Sequence, residues 1–317
     1  MLILSEGDVA ARLSMRDAID VVQRAFIEHA NGRAVFPLRS VARAESGLLG
    51  AMPGSVRGEH AALGAKLVTV FSGNAARGAH THNAVIILFS PETGDPLALM
   101  DGRYITEIRT AAASAIASRA LARPEASTLA ILGTGVQSRA HIAAMRTLES
   151  ITSIRVWGRD FEKADALAKR ESEAGIPVRA VATIAQACRG ADIVCTVTAS
   201  AEPVIGVGDI APGTHINAVG ACTPRARELT AELVGRSRIV CDSREGALAE
   251  AGDIILAIRD GALSAQPEVA LLGDVLTGKT VGRASAAEIT LFESLGVAIE
   301  DLVCAALVYE RYRSGES

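Results

Sequence analysis

The sequence lacks the features of a membrane protein or a nucleic-acid-binding protein. No apolar run approaches the roughly 20 residues that a membrane-spanning helix needs, and the chain turns polar at Ser5-Glu6. We therefore expect neither a leader nor a membrane anchor. The 32 basic and 36 acidic residues are spread along the chain, without a cluster of Lys or Arg that could follow nucleic-acid phosphates. We expect neither nucleic acid nor membrane as a partner.

Cysteine is scarce and is not spaced for a structural role. Five cysteines lie far apart without a CxxC pair: Cys188, Cys195, Cys222, Cys241 and Cys304. This spacing indicates a reducing, cytoplasmic location rather than a disulfide framework or a zinc site. His80 and His82 have no Cys or Glu nearby and make a poor ligand set, so we expect no metal. The GxSxG motif of α/β-hydrolases is also missing.

The composition provides enough apolar residues for two domains. At 317 residues and 49% hydrophobic, the chain exceeds the about 250–300 residues at which a single core stops growing. Ser14 and Asp17 form a capping box that predicts a helix after them. Short apolar segments between residues 48 and 89 predict a mainly antiparallel sheet. The Ala-rich segment 105–121 predicts a long helix, which Pro124 prevents from continuing.

After residue 122 the pattern becomes an alternation of buried strands and helices. Six parallel strands are predicted, at residues 127–132, 154–157, 178–181, 192–197, 215–219 and 238–241. The helical pattern after residue 299 has no place in a completed sheet of this kind, so we expect it to pack on the first domain. The predicted fold class is α/β, with a Rossmann-type doubly wound domain at 123–294 and an α+β domain formed by 1–122 and 295–317.

A glycine loop marks the start of the second domain. Gly133-Thr134-Gly135 follows an apolar strand and opens a helix, where backbone amides can approach a pyrophosphate. Ser138 replaces the third glycine of the usual fingerprint but is small enough for close packing of helix on strand. The loop predicts a dinucleotide site, and an ordinary glycine turn is the alternative.

The next strand ends in a sequence that bears on the choice of dinucleotide. An Asp or Glu at this point would bind the ribose 2′-hydroxyl of NAD, but the chain has Gly158 followed by Arg159. A guanidinium can pair with a 2′-phosphate, so NADP(H) is favoured and NAD(H) is possible. In the alternative interpretation, Arg159 is a solvated turn residue and Asp160 caps the following helix.

Three cationic residues of the first domain lie beside or within apolar segments. Lys66 interrupts a strand-like run, and Arg39 and Arg109 have comparable surroundings. A buried cation needs an anionic partner, and the three together could hold a carboxylate. Taken singly, each is more often a salt-bridged or snorkelling side chain.

With these residues the chain resembles the ornithine cyclodeaminase and mu-crystallin family over nearly its whole length. In the first domain the resemblance rests on residues 66–74 (KLVTVFSGN), 81–83 (THN), 97–102 (LALMDG) and 108–114 (IRTAAAS). In the second domain it rests on residues 133–139 (GTGVQSR), 217–221 (NAVGA), 282–285 (GRAS) and 288–292 (EITLF). It implies that the first domain and the last helix form a lobe that binds substrate and forms a homodimer.

The resemblance also implies roles for individual residues. Arg39, Lys66 and Arg109 would bind the carboxylate of a small amino or imino acid. The cofactor-binding residues would be Thr81, Thr110, Gly133, Gly135, Val136, Gln137, Arg159, Thr198, Val219 and Gly220. The candidate catalytic residues are Lys66, Arg109 and Cys222.

One position departs from the cyclodeaminases of this family. They have an Asp after the Val-Gly-Ala turn to handle the distal amine of the substrate, whereas this chain has Cys222. A thiol is mostly neutral at pH 7 and does not replace a carboxylate base, although the nearby Glu228 could do so if the loop shifted. The alternative for Cys222 is a packing residue.

The expected activity is therefore NAD(P)H-dependent reduction of cyclic ketimine carboxylates, such as pyrroline-2-carboxylate or piperideine-2-carboxylate. The alternatives are ornithine cyclodeamination, alanine dehydrogenation, or ligand binding without chemistry as in mu-crystallins.

Overall fold

The computed structural model describes residues 1–173 and 175–316, and for Ala75 the backbone alone. Its strands are β1 Leu2–Leu4, β2 Ala34–Val35, β3 Ser40–Ala44, β4 Gly47–Val56, β5 Ala62–Val70, β6 His82–Phe89, β7 Pro96–Asp101, β8 Thr128–Leu132, β9 Ser153–Trp157, β10 Val178–Ala180, β11 Ile193–Thr196, β12 His215–Ala218, β13 Ser237–Cys241, β14 Ala270–Leu271 and β15 Ile289–Glu293. Its helices are α1 Glu6–Ala10, α2 Met15–Ala30, α3 Arg103–Leu121, α4 Val136–Met145, α5 Phe161–Ser172, α6 Ile184–Cys188, α7 Ala231–Gly235, α8 Arg244–Ala249, α9 Gly252–Arg259, α10 Leu272–Leu276 and α11 Ala298–Ser314. None of these helices is both long and apolar enough to cross a membrane.

The chain divides into two compact units. Unit 1 contains Met1–Ala112 and Gly296–Ser317, and unit 2 contains Ala113–Leu295. The division falls inside α3, whereas the sequence pattern put the boundary after residue 122. The second half of α3 belongs to unit 2, where the Asn217 amide donates a hydrogen bond to the Ser118 hydroxyl over 2.9 Å.

Unit 1 is built on a mainly antiparallel sheet, as its Gly- and Pro-punctuated segments predict. The strand order is β1-β7-β6-β5-β4-β2, with β3 paired to β4, and the β1–β7 pair alone is parallel among the described pairs. Helix α11 packs on β4, β5, β6 and α2. Helix α2 begins at the predicted capping box of Ser14 and Asp17. The last helix thus covers one face of this sheet.

Unit 2 is a doubly wound parallel sheet. Its strands follow the order β10-β9-β8-β11-β12-β15-β13-β14, and every described pair is parallel. The prediction of six strands was wrong because β14 and β15 were missed. Strand β15 is inserted between β12 and β13, and a short segment far along the chain carries no local signal of that position.

Strands β8 and β11 of unit 2 contribute to two cores because successive side chains point to opposite faces. Along β8, Leu129 and Ile131 belong to the core that α4 and α5 cover. Ala130 and Leu132 belong to the other core, which contains residues of α6, α7 and α9. Helices therefore cover both faces of the sheet, which explains the unbroken apolar runs of its strands.

Candidate active site

Unit 1 holds a buried cluster of four charged side chains. Lys66 of β5 is 2% exposed, and its Nζ lies 2.6 Å from Oδ2 of Asp301 on α11. Arg109 of α3 donates from Nε to Oδ1 of Asp301 over 3.1 Å and from Nη1 to Oε2 of Glu300 over 2.8 Å. Two cations therefore face two carboxylates away from water, which offsets the cost of burying each charge.

The start of α11 is shaped to receive the Arg109 guanidinium. Gly296 has φ +74°, and a Cβ at that position would lie 2.7 Å from Nη2 of Arg109 and closer still to Nη1. Glu300 accepts from the Val297 backbone N–H over 3.1 Å, and carboxylates in a first helical turn are favoured by the helix dipole. Arg39, the third predicted cation, is half-buried and donates to the Gly296 carbonyl over 3.3 Å.

Donors remain in this cluster for an additional anion. Within residues 1–173 and 175–316, the ammonium of Lys66 has Asp301 as its polar partner, and Nη2 of Arg109 has none. A lysine ammonium carries three N–H donors and a guanidinium carries five, so a carboxylate could bind both side chains.

The surroundings of Lys66 bring the pKa of its ammonium closer to neutrality. Burial, and then the charge of Arg109, lower its pKa to about 8, although Asp301 and Glu300 act in the opposite direction. Burial is the largest cause of this shift, and Arg39 is not among its causes. A group with a pKa near the working pH is a suitable general acid or base.

The predicted cofactor-binding threonines of unit 1 have local partners. Thr110 is buried in α3 and donates to the Thr106 carbonyl over 2.7 Å. Thr81 is half-buried, and its hydroxyl lies 3.0 Å from Nδ1 of His82. Contact of either threonine with a nucleotide stays a prediction.

The glycine loop of unit 2 has the backbone that a dinucleotide requires. Gly133 has φ +135°, and a Cβ there would lie 2.6 Å from the Val197 carbonyl oxygen. Gly135 caps α4, and an added Cβ would meet nothing within 4 Å. Val136 is 58% exposed, while Oε1 of Gln137 is buried without a partner in the described chain. The first amides of α4 therefore stay accessible to phosphate oxygens, and the loop fits a dinucleotide.

The loop lies where an open α/β sheet reverses its strand order. The chain runs from β8 outward through β9 to β10 and then returns to β11 on the other side of β8. Ligands of such sheets bind at the carboxyl ends of the strands at this switch point. The predicted cofactor residue Thr198 follows β11, and Val219 and Gly220 follow β12.

Glu228 holds two of these segments together. It is fully buried, and its two oxygens accept the backbone N–H groups of Thr198 and Gly220, each over 2.7 Å. Asp253 in turn accepts from the Glu228 backbone N–H over 3.0 Å. The possibility that Glu228 serves as the distal-amine base is therefore not supported, since its oxygens bind backbone. Its bracing role could not be inferred from sequence spacing.

The residues after β9 agree in part with both interpretations of the sequence, Arg159 as a phosphate partner and Asp160 as a helix cap. Asp160 caps α5 by accepting from the Lys163 backbone N–H over 3.3 Å. Gly158 is required by close packing, because a Cβ there would collide with the Thr134 methyl group. Arg159 is exposed and makes no ion pair with any residue that the structure describes. Its guanidinium is thus available to an external anion.

Cys222 is half-buried at the turn after β12. Its thiol donates to the Val219 carbonyl oxygen over 3.1 Å and lies 3.8 Å from the Ser294 carbonyl oxygen. These contacts hold the thiol against the turn. Across the described residues, no group of three or more His, Cys, Asp or Glu side chains could hold a metal ion.

The doubly wound sheet and its glycine loop are those of a dinucleotide-binding enzyme, and unit 1 holds a buried cluster of two cations and two carboxylates. The model of the ornithine cyclodeaminase/mu-crystallin family matches residues 1–316, and the chain belongs to that family.

Several relatives are similar to this chain over nearly its whole length. It is 40% identical over 293 residues to ketimine reductase mu-crystallin of Mus musculus, a match that covers 92% of this chain and 90% of that protein. Delta(1)-pyrroline-2-carboxylate reductase of Thermococcus litoralis, solved in complex with NADH and L-proline, has a TM-score of 0.95 and 38% identity, covering 100% of this chain and 99% of the other. An archaeal alanine dehydrogenase dimer with bound NAD has a TM-score of 0.94 and 35% identity, covering 99% and 97%.

Proposed function

We propose that the protein is an NAD(P)H-dependent reductase of cyclic ketimine carboxylates of the pyrroline-2-carboxylate or piperideine-2-carboxylate type. The observation that carries the proposal is the Lys66 ammonium, which is buried beside Arg109 with unused N–H donors. The names of the mouse and Thermococcus litoralis relatives support the same chemistry.

Different residues perform different steps of the reaction. The nicotinamide, when bound, supplies the hydride that reduces the imine carbon. Arg109 and Arg39 orient the substrate carboxylate, and Lys66 donates the proton that the imine nitrogen gains. One hydride and one proton thus convert the C=N bond into a secondary amine. Residues 133–137, Thr198 and Gly220 bind the dinucleotide, and Glu228 fixes the last two through their backbone N–H groups.

A direct assay tests this proposal. The purified protein is incubated with NADPH or NADH and pyrroline-2-carboxylate, and the loss of nucleotide absorbance is followed. We expect turnover with formation of proline. No turnover with either pyrroline-2-carboxylate or piperideine-2-carboxylate contradicts the proposal, and tight nucleotide binding without turnover would indicate a binding protein instead.

Cyclodeamination of ornithine is the activity that the turn after β12 disfavours. Cys222 donates its thiol hydrogen to a carbonyl, and Glu228 is occupied by backbone N–H groups. We expect no ammonia from ornithine with catalytic NAD.

The pH dependence of reduction follows from the Lys66 ammonium. Because the pKa of Lys66 is about 8 and the protonated form is the acid, kcat/KM for reduction should be highest below pH 8 and fall as the pH rises through that value. For oxidation of the cyclic amino acid, kcat/KM should instead rise with pH, because this direction needs the unprotonated amine of Lys66 as the base. A pH–rate profile in both directions checks this, and two parallel profiles would argue against Lys66 as the acid.

Arg159 favours NADPH over NADH. The exposed guanidinium follows β9, where the 2′-substituent of an adenosine ribose is bound in folds of this kind. We expect Arg159→Ala to raise the KM for NADPH about tenfold, the value of one charge-assisted contact of about 1.5 kcal/mol. The KM for NADH should change less than twofold. Equal changes for both nucleotides would contradict a contact with the 2′-phosphate.

The uncovered face of the unit 1 sheet carries the proposed homodimer contact. Leu49, Leu67 and Val85 lie on β4, β5 and β6 and are 41%, 37% and 40% exposed, while α11 packs on the same strands. The related alanine dehydrogenase is a dimer. A charged group in this patch would be desolvated, so Leu67→Glu should yield monomers in sedimentation velocity. Leu248→Glu, on an equally exposed leucine of α8, should leave the dimer intact.

A further inference from the structure

Among the carboxylates that the structure describes, Asp301 is the one that contacts both buried cations of unit 1, Lys66 and Arg109. One oxygen lies 2.6 Å from the Lys66 Nζ, and the other accepts from the Arg109 Nε over 3.1 Å. Glu300, its neighbour on α11, bonds to Arg109 but makes no ion pair with Lys66. Asp301 is itself completely buried.

We propose that Asp301 is a positioning residue that holds the proton-donating ammonium of Lys66 and the carboxylate-binding guanidinium of Arg109 at a fixed spacing. The inference rests on the proposed reductase function and adds a residue to which sequence gave no role. Without the shared carboxylate, two buried like charges would repel and separate. In a five-membered imino acid the nitrogen and the carboxylate lie at one fixed distance. The spacing of Lys66 and Arg109 therefore decides whether Lys66 can reach the nitrogen while Arg109 binds the carboxylate.

The charges around Lys66 determine what the loss of Asp301 would do. The charged groups that shift the pKa of its ammonium are Arg109 from α3 and Asp301 and Glu300 from α11, and the ammonium in turn acts on His82 of β6. Arg109 lowers the pKa of Lys66, whereas both carboxylates raise it. Desolvation and then the Lys66 charge lower the pKa of His82, which disfavours the charged form of this ring. Removing the Asp301 charge should therefore lower the pKa of Lys66 below about 8.

The test compares Asp301→Asn with two carboxamide controls. For D301N we expect the alkaline limb of kcat/KM for pyrroline-2-carboxylate reduction to move at least one pH unit lower. We also expect kcat to fall about 10–100-fold, as for a displaced general acid. Nucleotide affinity should not change. E300Q should raise KM with a smaller movement of the limb. D17N, which removes an ion pair between α2 and Arg311 of α11, should lower Tm without moving the limb.

The results separate this inference from the proposed function. If the unaltered protein reduces no imine, the function fails, and Asp301 is then tested by NMR titration of labelled lysine, which is tractable because the chain has four lysines. The inference is overturned if the pKa of Lys66 in D301N equals that in the unaltered protein. It is also overturned if the alkaline limb of kcat/KM lies at the same pH in D301N as in D17N. If D301N does not fold, D301E retains the charge, so we expect an unchanged limb with a reduced kcat. Full kcat in D301E would contradict positioning.

Discussion

Replacing Lys66 by Met should lower kcat/KM for imine reduction by about 10²–10⁴-fold, the usual contribution of a positioned general acid. Methionine has a similar length and keeps the buried volume of the side chain, but it can neither donate a proton nor bind a carboxylate. Nucleotide affinity should be retained, because the glycine loop lies in unit 2. Steady-state kinetics and nucleotide titration by fluorescence separate the two effects.

Loss of stability must be distinguished from loss of chemistry in this variant. Lys66→Met leaves Asp301 without its lysine partner, and breaking one partner of a buried pair costs about 3–5 kcal/mol. The double variant Lys66→Met with Asp301→Asn removes both charges and should recover most of the lost Tm without recovering activity. Activity that returned together with Tm would show that Lys66 contributes only to stability.

Replacing Gly133 by Ala is expected to have the second large effect. A side chain at φ +135° is strained by about 1–3 kcal/mol, and its Cβ would also press on the Val197 carbonyl at the end of β11. The ends of β8 and β11 would have to separate at the glycine loop that we propose binds the dinucleotide. We expect Tm to fall and the Kd for NADPH to rise roughly tenfold or more, at about 1.4 kcal/mol per factor of ten.

Two other glycines serve as matched controls for Gly133→Ala. Gly135→Ala meets no neighbouring atom within 4 Å, so Tm should be unchanged, but its methyl group would lie in the loop that we propose binds the pyrophosphate and should weaken nucleotide binding. Gly208→Ala, in another open turn of unit 2, should change neither quantity. Equal losses of Tm in the Gly133 and Gly135 variants would contradict the geometric account of this loop.

Features that depend on neighbours in the sequence were predicted correctly. The capping box before α2 and the strand-glycine-helix order around Gly133 are local patterns, and the structure confirms both. The antiparallel sheet of unit 1 and the parallel sheet of unit 2 follow from how turns and buried runs are distributed. The order of strands does not, so the insertion of β15 was missed.

The partners of the buried cations could not be predicted because they are remote in sequence. Arg109 and Asp301 are separated by 192 positions, and no spacing rule connects residues that far apart. Glu300 and Asp301 were visible only as acids in a helical pattern and would ordinarily be assigned to a solvated helix start. Their burial becomes apparent once α11 is packed on β4, β5 and β6.

The discontinuity of unit 1 has a consequence for folding order. Residues 113–295 can form their own core while unit 1 still lacks α11, since domains generally fold as units during synthesis. Until α11 is synthesised, Lys66 and Arg109 lack the carboxylates of Glu300 and Asp301, and the sheet face that α11 later covers is exposed. Unit 2 should therefore be the earlier to resist proteolysis, and the cluster of Lys66, Arg109, Glu300 and Asp301 should be the last part of the enzyme to form.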